Sequence, residues 1–330
     1  MKKILLAFFV VAISFAHEKP KYQTNFTMQP ITESPNYFVK KTNTTKPYDF
    51  CDGCGCGASG GSMGFASMLN SNFVGVRYFN QQYRSNDGLY TNSPWLNENF
   101  NTVQVWARIP LFNRFQISAL VPYHNHERET AKGNQSISGL GDVTVLALAT
   151  VYKTKTDTIS NAIQHNVQAG IGVKLPTGEY KEANSGSVNP SFQLGTGSWD
   201  MLLTTEYVIK RNKLGWNNMV NYIVKSQNEK YYQFGNQFNY STTVFYLLEN
   251  EILAFAPQVG ISGELYESNY QYNQQVKNTS GDVVFSKFGF ELGYKKWSFG
   301  STLQLPINQN LVGGLVEAKS RWSVNINFKL

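Results

Sequence analysis

Thr102-Val103-Gln104-Val105-Trp106-Ala107-Arg108-Ile109 is the stretch on which the fold turns. Val103, Val105, Ala107 and Ile109 fall on one side of an extended chain and Thr102, Gln104, Trp106 and Arg108 on the other, because successive strand side chains point to opposite faces. The same period of two recurs down the chain. Val167, Ala169, Ile171, Val173 and Leu175 oppose Gln168, Gly170, Gly172 and Lys174; Leu253, Phe255, Val259 and Ile261 oppose Gln258, Gly260 and Ser262. At the end Trp322, Val324, Ile326, Phe328 and Leu330 oppose Ser323, Asn325, Asn327 and Lys329. The pattern predicts strands at about 72–84, 98–110, 113–125, 139–153, 164–176, 198–211, 214–228, 233–249, 251–266, 283–294, 296–306 and 319–330.

The connections between these strands alternate in length. Short ones fall near Phe112-Asn113, Arg211-Asn212-Lys213, Glu249-Asn250 and Lys295-Lys296, with a longer one near 154–163. Long ones fall near 85–97, 126–138, 177–197, 267–282 and 307–318, with a shorter member at 228–232. Outer-membrane barrels pair tight periplasmic turns with longer external loops. The expectation is therefore an all-β, transmembrane, antiparallel up-and-down barrel of about twelve strands over 72–330, with both termini periplasmic. A soluble β-sandwich shares the alternation, but strands of about 12 residues or more exceed its usual length of about 5–6.

Composition agrees with one apolar and one polar face per strand: charged residues make up 15% of the 330 and aromatic residues 14%. The net charge of +7 is spread along the chain, without the basic patch that nucleic-acid binding requires. Met1-Lys2-Lys3, the apolar run Ile4 to Ile13 and Ser14-Phe15-Ala16 before His17 read as a secretory signal peptide over 1–16, as expected of a Gram-negative envelope protein. No later run approaches the roughly 18–20 apolar residues of a transmembrane helix. Residues 17–71 show no sustained period and read as an irregular periplasmic extension.

Three motifs lie close together in the middle of the chain: Ser138-Gly139-Leu140-Gly141-Asp142, Gly172-Val173-Lys174-Leu175-Pro176-Thr177-Gly178 and Gly195-Thr196-Gly197-Ser198-Trp199-Asp200. Their order and spacing over about 139–211 resemble the family of outer-membrane transporters named for the meta-cleavage pathway of phenol degradation. The resemblance implies a channel-like barrel associated with uptake of small, often aromatic compounds.

The residues also make a physical case of their own. Asp142, Lys174 and Asp200 fall on the polar faces of neighbouring strands near the external rim, where a lysine between two aspartates would anchor the 177–197 loop as a latch, or gate it. The other polar faces carry Arg77, Arg108, Glu206, Lys225, Glu264, Lys287, Glu291 and Arg321. In a wet lumen such mixed charges select polar solutes; paired with one another, they fill the interior. The expected activity is diffusion of a small-molecule solute through a narrow or gated polar lumen, with outer-membrane lipid and the barrel-insertion machinery as partners. The alternative is a barrel-anchored envelope protein whose cysteine segment binds metal or a periplasmic partner.

Cys51, Cys54 and Cys56 lie in one Gly-rich stretch. Soft thiolates at that spacing suit Cu(I) or Zn²⁺, and a local disulfide in an oxidising periplasm competes with either. His124 and His126 lie two apart, hence on one face, beside Glu127 and Glu129 at the external end of the third strand. Such a pair suits a metal or, with Ser136 or Ser138 nearby, a Ser–His catalytic pair, but no enzyme is expected.

Overall fold

The computed structural model describes residues 67, 69–86, 93–130, 133–154, 163–181 and 189–330. The signal segment and Cys51, Cys54 and Cys56 lie outside the described residues. The strands are β1 (Phe73–Ser85), β2 (Leu96–Phe112), β3 (Phe115–Thr130), β4 (Gly133–Leu140), β5 (Thr144–Lys153) and β6 (Gln164–Lys174). They continue with β7 (Asp200–Arg211), β8 (Leu214–Val224), β9 (Tyr232–Gln233), β10 (Gln237–Tyr246), β11 (Leu248–Glu249) and β12 (Leu253–Tyr266). The last are β13 (Tyr270–Gln271), β14 (Gln274–Gln275), β15 (Gly281–Tyr294), β16 (Trp297–Leu311) and β17 (Val316–Lys329).

The long strands pair antiparallel with their neighbours, and β1 pairs with β17 from Phe73–Lys329 to Ser85–Val316, so the sheet closes on itself. β4 and β5 are two halves of one stave: β3 meets β4 at His124–Gly139 and β5 at Leu120–Thr144. With that stave counted once, the barrel has 12 antiparallel strands, as the alternation predicts. Closure leaves no edge with unpaired backbone groups, the condition for a sheet to cross a bilayer. Tight turns at Asn113-Arg114, Asn212-Lys213 and Lys295-Lys296 lie at one end. Asn212 has φ 53°, a left-handed conformation that asparagine tolerates better than most residues.

Two long connections differ from expectation. Much of 126–138 is not a loop but the tall β3–β4 hairpin, because inward-facing Ile137 packs with Phe100, Phe192 and Leu194 and extends the alternation upward. β16 likewise runs to Leu311, so the 307–318 connection shrinks to Val312–Leu315, where Gly313 and Gly314 take positive φ. β9, β13 and β14 form a small sheet among the long connections, which the sequence pattern does not show. There burial pushes the Tyr232 hydroxyl up to about 12 while it accepts a hydrogen bond from Asn269 Nδ2 at 2.7 Å, keeping the phenol neutral.

The two faces separate as the period of two requires. Val103, Val105, Ile109, Ile171, Val259 and Ile326 are exposed on the outside, while Thr102, Gln104, Arg108, Gln168 and Ser262 are buried within. Phe112, Phe115, Tyr152, Trp216, Tyr294 and Trp297 ring the outside at the short-turn end, and Trp95 and Trp199 are exposed at the other. An apolar outer belt between aromatic girdles matches the two interfaces of a membrane.

The interior carries polar side chains along the staves, with apolar clusters among them. Phe73, Trp106, Leu120, Leu146, Leu148, Leu202 and Ile223 form a buried cluster inside. Alternation tells inside from outside, but not which inward positions are filled with apolar side chains. Where staves pass closest, glycine is required: a Cβ on Gly260 would lie 2.1 Å from the Thr242 carbonyl oxygen. Gly260→Ala should therefore destabilise the barrel by about 1–3 kcal/mol, read as a lower midpoint in denaturant unfolding.

Candidate functional site in the barrel lumen

At the long-loop end Lys174 is wholly buried between two carboxylates. Its Nζ lies 2.8 Å from Asp142 Oδ2 and 2.7 Å from Asp200 Oδ2. The register sets this up directly, since Lys174 stands opposite Thr144 on β5 and Asp200 on β7. Asp142 also receives the amides of Gly178 at 3.0 Å and Thr196 at 2.9 Å, so one carboxylate ties both limbs of the 177–197 connection to the wall. Lys174 also donates to Thr196 Oγ1. Lys225 reaches Asp200 Oδ2 at 3.3 Å, extending the network across to the following stave. Thr196 was not singled out from the sequence, although it sits inside the Gly195-Thr196-Gly197 motif.

The remaining charged lumen residues are all buried inside. Arg321 makes a two-point pair with Glu264, at 2.5 Å and 3.0 Å, and Tyr83 and Tyr266 bond to the same pair. Arg108 Nη2 lies 2.5 Å from Gln168 Oε1 and 3.9 Å from Glu206 Oε2, and Glu206 receives Asn217 Nδ2 at 2.7 Å. Arg77 donates to Gln104 at 2.6 Å and stacks over Trp106 at 4.8 Å. Lys287 donates to Thr243 Oγ1 at 3.3 Å. Charges sequestered this way persist only with partners that offset their lost hydration.

Toward the short-turn end the chain leading into β1 enters the interior. Ser67 Oγ donates to Glu291, Asn70 Nδ2 donates to Ser298 Oγ at 2.8 Å, and Leu69 packs with Phe245, Leu247, Ala254 and Ala256. Nothing in the sequence period flags Ser67, Leu69 and Asn70, which belong to no strand.

At the long-loop end lies a cavity of about 190 Å³. Tyr83, Phe100 and Glu264 are on its wall, along with Asp142 of the latch, Lys225 and both histidines. His124 and His126, at the external end of β3, are buried against the lumen, at 3% and 4% exposure. They share the inward parity of Ser118 and Leu120 on β3, a signal already present in the alternation. Ser136 and Ser138 pair with Glu127 and Asn125 and are exposed on the opposite face, so neither forms a Ser–His pair with them.

Residues 96–311 match the family model described as "Putative MetA-pathway of phenol degradation". The chain belongs to this family. The match spans the latch motifs and most of the barrel, well beyond the 139–211 segment on which the resemblance rests. Among solved structures, an outer membrane channel from Pseudomonas putida F1 is similar, with TM-score 0.57 and 15% identity over 78% of this chain and 94% of that one. The β domain of the Bordetella autotransporter BrkA aligns over 78% of this chain and 99% of its own, with 7% identity and TM-score 0.44. No curated relative matches the chain. The fold is therefore that of an outer-membrane β-barrel.

Proposed function

We propose that this protein is an outer-membrane channel that passes small molecules by diffusion, with its short turns and both termini in the periplasm and its long connections outside. The observation that carries the reading is the combination of an apolar outer belt with a cavity of about 190 Å³ inside whose wall carries Asp142, Lys225 and Glu264. A barrel serving only as an anchor gains more from a packed apolar interior, whereas charges that line a wet path orient and select solutes. Outer-membrane lipid would cover the belt, and the barrel-insertion machinery would deliver the folding chain.

The test is single-channel conductance of the purified protein in planar bilayers. Discrete openings support the channel; silence from protein shown to be folded by heat-modifiable mobility overturns it. A selectivity measurement refines the reading. Arg77→Gln with Lys287→Gln removes two lumen cations, and under a salt gradient the reversal potential should move toward cation preference.

The packing of the short-turn interior, with Leu69 and its neighbours filling space, favours a second reading. In it the barrel anchors an envelope protein whose cysteine segment takes Cu(I), Zn²⁺ or a periplasmic partner. Stoichiometric metal uptake lost in a Cys51→Ser, Cys54→Ser, Cys56→Ser variant, without pore activity, would select it.

A further inference from the structure

We propose that His124 and His126 form a two-imidazole site for a divalent transition-metal ion, Cu(II) foremost, on the wall of the long-loop cavity. Residues two apart on a strand share a face, and the two rings lie with centroids 4.6 Å apart, inclined at 42°. With metal–nitrogen distances of about 2.0–2.1 Å, two imidazoles on one ion at 90–110° hold their centroids about 4.5–5.2 Å apart. The observed separation falls within that interval.

Thr102 Oγ1 engages His124 Nδ1 at 2.8 Å, which orients the ring and leaves Nε2 as the donor. His126 Nδ1 is buried and makes no well-formed hydrogen bond among the described residues, with the backbone of Asn101 and Asn125 beside the ring. Gly141 makes room for the first ring: a Cβ there would lie 2.2 Å from His124 Nε2. The Asp142 carboxylate lines the same cavity, as does the Lys225 ammonium. Among the described residues no third His, Cys, Asp or Glu completes a protein ligand set. Water or a solute therefore takes the remaining positions, as suits an exchangeable site. Imidazole nitrogen with open tetragonal positions favours Cu(II), the tightest of the first-row divalent ions.

The experiment uses the full-length chain in detergent with Cys51, Cys54 and Cys56 changed to serine, so that thiolates do not compete, and CuCl₂ as the probe. Electron paramagnetic resonance should show one bound Cu(II) whose superhyperfine pattern reports two imidazole nitrogens. His124→Ala or His126→Ala should weaken binding at least about tenfold, and Thr102→Val or Gly141→Ala by about tenfold through loss of ring placement. His165→Ala should change nothing, since His165 lies on another stave bonded to Tyr207. Two results overturn the proposal: no copper retained by folded protein, or binding that survives the double substitution of His124 and His126. Should the alanine variants fail to fold, His124→Gln with His126→Gln keeps the side-chain bulk, and the nitrogen count in the parent spectrum decides without any variant.

Discussion

Lys174→Ala is expected to cost about 3–5 kcal/mol of stability, the largest effect of any single lumen substitution, because it leaves two buried carboxylates facing each other without their shared cation. Lys174 is fully buried, with Asp142 at 2.8 Å and Asp200 at 2.7 Å. Lys225 at 3.3 Å from Asp200 offsets part of that loss, but it has no ion pair with Asp142. The damage should therefore concentrate at Asp142, and through its bonds to Gly178 and Thr196 the 177–197 connection should come loose. Denaturant unfolding in detergent should show the lower midpoint. Limited proteolysis should show new cleavage within 177–197 before the barrel opens. Asp142→Asn with Asp200→Asn is the companion: it keeps the side-chain shapes and an oxygen acceptor for Lys174 at each position, and should leave a folded barrel with altered conductance. If conductance is unchanged, the latch holds the loop but does not gate the path. If Lys174→Ala unfolds no more easily than the parent, the ion network contributes nothing net and the loop is held by its backbone bonds.

The latch was legible in the sequence for a reason that does not extend to the rest of the lumen. Asp142, Lys174 and Asp200 sit where alternating strands run into a Gly-rich connection, so parity and strand ends together place them at one rim. Parity also gave the twelve staves and the inward face of Arg77, Arg108 and Arg321. It is silent on partners across the lumen, because Arg321 and Glu264 lie on β17 and β12, which are not paired in the sheet. Their meeting depends on barrel radius and strand tilt, which a one-dimensional period does not carry. The β3–β4 hairpin was missed for a related reason. Gly133, Asn134, Gln135 and Ser136 have loop composition, and they form a strand only because Ile137 finds Phe100 and Phe192 on other elements. The histidines are legible by the same rule, since their parity on β3 points inward.

Leu69→Asp is expected to raise single-channel conductance severalfold, because it drives out of the short-turn interior the segment that now fills it. Leu69 is 2% exposed and packs with Phe245, Leu247, Ala254 and Ala256, while Ser67 and Asn70 on either side bond to Glu291 and Ser298. Burying an ionised carboxylate in that apolar contact costs several kcal/mol, more than the neighbouring hydrogen bonds return at about 0.5–1.5 kcal/mol each. The staves do not depend on Leu69 for their pairing, so the barrel should stay closed and heat-modifiable while the segment withdraws. Ser67→Ala with Glu291→Gln is the graded version. It weakens one anchor without adding charge, and should increase the frequency of openings more than their size. Larger and more frequent openings in both variants would mean that the chain before β1 limits the path in the resting state. Unchanged conductance with a folded barrel would place the restriction elsewhere, at the apolar cluster of Phe73, Trp106 and Leu120, and Trp106→Ala would then be the variant that opens it.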